Sequence, residues 1–167
     1  FKLKSPKESG KSFLKNSLIK AKFFSEKTNL ICLADDSGLE IDILNGKPGI
    51  FSARWAYKNN YNFAFEKIKS NLKKKDLNIN GQSAKFICVL ALIDKKKKEY
   101  IFRGTLRGEL VFPPRGNKGF GYDPIFRPTN YTKTLAQVSS STKNSLSHRK
   151  KAIIKLLNHD IFKIDLS

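Results

Sequence analysis

The sequence predicts a single α/β or α+β domain. Three observations lead there. Two stretches, 12–27 and 62–75, place apolar residues at helical spacing. Phe86 to Ile93 is a short, unbroken apolar run of strand length. Turn residues punctuate the intervals, with no linker, internal repeat or low-complexity domain. At 167 residues and 40% hydrophobic content, the chain can bury a sizeable core and is too apolar to be disordered.

The elements follow in chain order. In 12–27, Phe13, Leu14, Leu18, Ala21 and Phe24 share one helix face, and Ser12 is placed to cap the start. Leu30 to Ala34 reads as a buried strand that ends at a turn, Asp35-Asp36-Ser37-Gly38. Glu40 to Ile43 alternates like a half-exposed strand, and Asn45-Gly46 and Pro48-Gly49 mark turns. The second helix, 62–75, aligns Ala64, Ile68 and Leu72. After Phe86–Ile93, the charged stretch Asp94 to Lys98 is a hairpin turn. Tyr100 to Val111 supplies one or two strands, with Gly104 and Gly108 as bulges or bends. A long glycine-rich loop runs from Pro113 to Pro124, and Ile125-Phe126 is a short strand. Ser141 or Thr142 caps a last helix running toward Leu157.

Composition narrows the classes of function. No apolar run is long enough to span a membrane, and Phe1-Lys2-Leu3-Lys4 does not begin a secretory signal. The chain contains no methionine, which suggests a start partway into a longer protein. Cys32 and Cys88 lie in apolar runs and read as buried free thiols. No Cys/His spacing suggests zinc, and a cytoplasmic setting is expected. The formal net charge is +19, from 33 Lys and Arg against 14 Asp and Glu. A functional positive field and a lysine-biased composition both account for it. The even spread of the basic residues favours the second, although either would draw a polyphosphate.

Three constellations carry chemistry. At Asp35-Asp36-Ser37-Gly38, neighbouring side chains of an extended segment point to opposite sides, so one aspartate at most faces a given cleft. That carboxylate could hold Mg²⁺ or activate water, or the segment could be a turn held by side-chain hydrogen bonds. The loop from Pro113 to Pro124 combines Arg115, Lys118, flexible glycines, the flat rings of Phe120 and Tyr122, and the acceptor Asp123. It matches neither a Walker loop nor a dinucleotide fingerprint, and could equally be an ordinary surface loop. Lys143 to Lys150 places Lys143, His148 and Arg149 near a helix start. There they could meet phosphate and a 6-oxo purine edge, or simply form a basic surface helix.

The order of these motifs carries a resemblance. Ala34-Asp35-Asp36-Ser37-Gly38-Leu39, then Gly46-Lys47-Pro48-Gly49-Ile50-Phe51-Ser52-Ala53-Arg54, then Gly119-Phe120-Gly121-Tyr122-Asp123-Pro124-Ile125-Phe126, then Lys143 through Ser147-His148-Arg149 resemble the inosine/xanthosine triphosphate pyrophosphatase family. Glu8 to Ala21 is similar to that family's first helix, so the resemblance covers essentially the whole chain.

The resemblance implies an α/β fold: an elongated mixed sheet flanked by helices, with two lobes around a central cleft. It implies Mg²⁺-dependent hydrolysis of ITP, dITP or XTP to the monophosphate and pyrophosphate, in a homodimer. It makes Asp36 the proton acceptor and a metal ligand with Glu8, and sets Ser37 beside the substrate. Asn16 and Lys20 would face phosphates. Phe120, Gly121, Tyr122 and Asp123 would border the base, and Lys143, His148 and Arg149 would contact the nucleotide. The chain departs from the family pattern in places. The family's first strand and its Ser/Thr-Gly-Asn-x-x-Lys loop do not occur in these residues. Lys7-Glu8 stands for an acidic pair, Lys15-Asn16 for Glu-Asn, and Gln137 for a glutamate. These departures raise an alternative, a catalytically impaired nucleotide-binding remnant of the same fold. A nucleic-acid-binding module, suggested by charge alone, lacks any recognition motif.

Overall fold

The computed structural model describes residues 2–162. Helix α1 (Phe13–Thr28) leads into strand β1 (Cys32–Ile41) and a short helix α2 (Ser52–Trp55). Helix α3 (Asn62–Lys73), strands β2 (Ser83–Ile93) and β3 (Glu99–Leu110), and the short strand β4 (Phe126–Pro128) follow. Helices α4 (Ser140–Leu146) and α5 (His148–Leu157) close the chain. The strands form one sheet in the order β1-β2-β3-β4, and β4 pairs antiparallel with Gly108–Leu110. The α/β class is therefore as expected. No helix among the described residues is long and apolar enough to cross a membrane.

The chain divides into two compact units. The first holds residues 1–37, 88–105 and 148–167; the second holds 38–87 and 106–147. Each long strand contributes residues to both. The second unit packs Ala64, Phe65, Ile68 and Leu72 of α3 against Leu39, Ile41, Ala84, Phe86, Leu106, Leu110, Ile125 and Phe126. The apolar spacing of 62–75 is thus the core face of α3. In the first unit, Ala21 of α1 packs on Ala91 and Ile93 of β2, and Ala152 and Leu156 of α5 pack with Cys88, Leu90, Leu92 and Phe102. Both cysteines are free; Cys88 is buried, whereas Cys32 is only half-buried.

Several boundaries differ from the sequence expectation. The Ser12 cap of α1 is not among them: it forms as expected, accepting from the Lys15 amide at 3.2 Å. Asp35-Asp36-Ser37-Gly38 is not a turn, since β1 runs through it without a break. Turn composition is overridden because both carboxylates find partners on opposite sides of an extended strand. The last helix is two helices. Ser139, rather than Ser141 or Thr142, caps α4 by accepting from the Thr142 amide. Ser147 then turns extended (ψ 146°), and its hydroxyl donates to the Asn144 carbonyl, ending α4 before α5 begins.

Gly104 and Gly108 are not bulges or bends, because β3 is one regular strand. Their role is close approach. A Cβ on Gly104 would lie 1.9 Å from the His148 carbonyl oxygen and 2.6 Å from the Ala152 amide nitrogen. Backbone of α5 thus packs directly on β3, and that contact sets where α5 begins. Gly104→Ala should lower unfolding stability by about 1–3 kcal/mol, the usual cost of overpacking. Urea denaturation checks this; an unchanged midpoint would show that α5 can shift away at no cost.

Candidate functional site

The first unit builds an acidic cluster from α1 and β1. Asn16 and Lys20 are one helical turn apart and share a face. Asn16, fully buried, donates from Nδ2 to Asp36 Oδ2 at 3.3 Å and accepts from the Gly10 amide at 2.9 Å. Lys20 Nζ reaches Asp36 Oδ1 at 3.3 Å and Glu8 Oε1 at 2.7 Å. Two carboxylates therefore converge on one cation. Burial lowers the Lys20 ammonium's pKa, but its hydrogen bond to Glu8 and the charges of Asp36 and Glu8 outweigh this and raise the pKa. Burial raises the Asp36 carboxyl's pKa, and the pull of Lys20 and Asn16 does not fully offset it. Asp36 is thereby a stronger base than an exposed aspartate.

Asp35 points the other way, as alternation in a strand requires. Arg149 Nη2, at the start of α5, donates to Asp35 Oδ2 at 2.9 Å, and Ser37 Oγ donates to the same oxygen at 3.0 Å. Burial would raise the Asp35 pKa, but the Arg149 bond and charge, with Ser37, outweigh it and lower the pKa. Two adjacent aspartates are thus tuned in opposite directions. Sequence reasoning placed no role on Asp35; the pattern Asp-x-Ser with a distant arginine carries no local signal.

The second unit builds a separate cluster on the loop before β4. Asp123, buried, accepts from the Phe120 amide at 2.7 Å and pairs with the Lys143 ammonium of α4. Burial raises the Asp123 pKa despite Lys143. The same ammonium lies 3.9 Å from the centroid of the Phe120 ring, a cation–π contact. Gly119 is required here, with φ +77°, and a Cβ would come within 2.2 Å of Asp123 Oδ2.

Phe120 and Tyr122 look alike in sequence but differ in place. Phe120 is 72% exposed, whereas Tyr122 is 3% exposed and packs edge-on to Tyr61. The Tyr122 ring is a core element of the loop, not an open face, and its hydroxyl donates to the Ser52 carbonyl at 2.8 Å. Ser52 is a second residue that sequence reasoning passed over. Its hydroxyl donates to the Gly49 carbonyl at 2.6 Å and accepts from the Leu39 amide at 2.9 Å. It ties the 49–52 turn, β1 and the Tyr122 loop together. Gln137 accepts from the Thr134 amide at 3.0 Å and so closes a local turn.

The structure thus brings together Glu8, Asn16, Lys20 and Asp36 in one group, Ser37 and Arg149 around Asp35 in another, and Phe120, Asp123 and Lys143 in a third. His148 opens α5 beside Arg149. Among the described residues, no three His, Cys, Asp or Glu side chains converge as a metal site.

The Ham1 family model matches residues 1–159. The chain belongs to the Ham1 family. A relative in Zymomonas mobilis named dITP/XTP pyrophosphatase is 40% identical over 156 residues, covering 93% of this chain and 74% of that protein. One of the same name in Oceanobacillus iheyensis is 42% identical over 150 residues, 89% of this chain and 75% of that protein. The Ham1 protein of Staphylococcus aureus superposes with a TM-score of 0.85 at 36% identity, covering 93% of this chain and 79% of that one. A HAM1 protein from Coxiella burnetii gives 0.84 at 39% identity, covering 92% and 78%.

The opposed tuning of this Ham1 family member's two aspartates has a measurable consequence. Asp36, with a raised folded pKa, loses stability as pH rises from its ordinary 3.8 through the folded value. Asp35, with a lowered one, contributes stability above 3.8 that is lost as pH falls through its folded value. Asp36→Asn should therefore be at least as stable as the wild type at neutral pH. Arg149→Ala should be less stable there, and should lose that deficit in acid. Thermal melts from pH 3 to pH 7 decide it, and a less stable Asp36→Asn protein at pH 7 would contradict the reading. Tyr122→Phe should cost about 1 kcal/mol, one buried hydrogen bond, measurable by urea denaturation.

Proposed function

We propose that this chain hydrolyses ITP, dITP and XTP to the monophosphate and pyrophosphate, removing non-canonical purine nucleotides from the pool. The observation that carries this reading is Asp36: a buried carboxylate, made more basic by burial, held between Asn16 and Lys20 beside Glu8. The Ham1 relatives bearing the name dITP/XTP pyrophosphatase supply the substrate class.

In this mechanism Asp36 accepts a proton from water. The water oxygen bonds to the α-phosphorus, the α–β bridging bond breaks, and pyrophosphate leaves with its electron pair. Lys20 and Asn16 hold Asp36 in place, and the Lys20 ammonium offsets phosphate charge. The donor set fits Mg²⁺: two carboxylates, Glu8 and Asp36, converge on a single point, now satisfied by Lys20. Magnesium commonly takes one or two carboxylates and completes its shell with water and phosphate. When bound, Mg²⁺ supplies charge neutralisation to the polyphosphate.

Phe120 offers its exposed ring to the purine, with Gly121 and Asp123 shaping that wall and Tyr122 holding the loop from the core. Lys143 meets the nucleotide. Arg149 spends one terminal nitrogen on Asp35 and keeps its other donors for a 6-oxo group, with Ser37 and His148 alongside. An adenine 6-amino group would leave those donors unpaired. The enzyme acts as a cytoplasmic homodimer.

Pyrophosphate release with Mg²⁺ tests the reading. ITP, dITP or XTP should turn over well above ATP and GTP. Asp36→Asn should lower kcat by about 10²–10⁴-fold, the usual worth of a general base. Lys143→Ala should act mainly on KM. Equal turnover of ATP and ITP, or none of any triphosphate, would overturn it.

A further inference from the structure

A groove of the first unit is lined by none of the residues of the three groups described above. It has a volume of about 450 Å³ and is lined by Arg103, Gly104 and Thr105 of β3 and by Lys151, Ile154 and Lys155 of α5. Its form follows from Gly104. Because no side chain stands there, α5 backbone packs onto β3, and the α5 side chains one turn further on overhang the strand.

The lining is chemically one-sided. Among the described residues, three cations border the groove and no carboxylate does. Among the described residues, neither Arg103 nor Lys155 has an ion-pair partner within 4.0 Å. Lys151 and Lys155 are four apart on α5, an arrangement in which like charges repel across one turn. Lys151 is pinned there, since its ammonium donates to the Thr105 carbonyl at 3.0 Å. The protein therefore holds one cation fixed and two unpaired beside it. An anion placed among them would relieve their repulsion. Ile154, 43% exposed, adds an apolar wall that favours a compact ligand over a fully hydrated one.

We propose that this groove is an accessory binding site for a compact oligophosphate, such as pyrophosphate or the phosphate tail of a nucleotide. The inference stands on the groove alone and does not depend on the catalytic reading above. The three cations match the charge of an oligophosphate, and the small volume suits a few phosphoryl groups. α5 also carries Arg149, bonded to Asp35, so occupancy would be felt by the helix that positions that arginine.

The test is isothermal titration of the protein with sodium pyrophosphate, and separately with ATP, without divalent metal and at low salt. Five proteins are compared: wild type, Arg103→Glu/Lys155→Glu, Arg103→Gln/Lys155→Gln, Lys143→Ala in the other unit, and Lys73→Glu/Lys74→Glu as a control of charge change equal to that of the Glu pair. Pyrophosphate binding at least tenfold weaker in Arg103→Glu/Lys155→Glu, but retained in Lys73→Glu/Lys74→Glu, supports the site. Parallel loss of ATP binding would show that the groove reads phosphate whatever its source; ATP binding unaffected would assign it to free oligophosphate. Arg103→Gln/Lys155→Gln, expected to weaken binding less with an unchanged melt, guards against misfolding. Equal weakening in the control pair would reduce the effect to net charge and overturn the proposal. So would abolition of all pyrophosphate binding by Lys143→Ala.

Discussion

The convergence of Glu8 and Asp36 on the Lys20 ammonium is the interaction on which the rest of this molecule turns. Carboxylates in the body of a strand are costly to desolvate, and an unpaired one would not persist there. One lysine and one asparagine, a turn apart on α1, remove most of that cost for Asp36. They also fix the register of α1 against β1, because a shift by one residue would take both donors off the carboxylate. The same bonds tie the segment before α1, through Gly10 and Glu8, to the strand. What remains uncompensated shows in the raised Asp36 pKa. The fold tolerates a partly strained carboxylate where the proposed chemistry needs a base.

The alternation of β1 explains why two aspartates in sequence do different work. Opposite faces of one strand give Asp36 a half-buried lysine and a buried asparagine, and Asp35 a half-exposed arginine and a serine. A guanidinium bond with full charge lowers one pKa, whereas burial dominates the other. A single residue of register would exchange these environments. The strand must therefore be held, and the Leu39 amide's bond to Ser52 contributes to this on the other side of Gly38.

Much of the fold was legible in the sequence, for physical reasons. The α1 and α3 segments carry helical spacing because each buries one face. β2 reads as a strand because it is buried almost end to end. The elements misread were those where a side-chain partner, distant or local, overrides composition. Asp35-Asp36-Ser37-Gly38 has turn composition, but its partners lie on α1 and α5, far away in sequence. Ser147 looks like one more helical serine until its own hydroxyl satisfies a carbonyl of the turn before it. Of the candidate site, the motifs name Glu8, Asn16, Lys20, Asp36, Phe120, Asp123 and Lys143, but the contacts among them join residues far apart in sequence that no motif specifies. Tyr122 is the instructive exception. Burial of an aromatic ring cannot be read from its neighbours when the residue two before it is equally aromatic and exposed.

Gly104 shows how a position with no chemistry of its own can govern chemistry elsewhere. The contact between its backbone and that of His148 sets the first turn of α5 against β3. Arg149 follows directly, and its reach to Asp35 depends on that start point. A side chain at 104 would have to push α5 outward, and the guanidinium with it. The Asp35 carboxylate would then keep its burial while losing its largest compensating partner. One absent methyl group thus underwrites both the packing of the first unit and the charge state of an aspartate next to the proposed base. This coupling follows from geometry alone, because the helix that packs on the strand is also the helix that supplies the arginine.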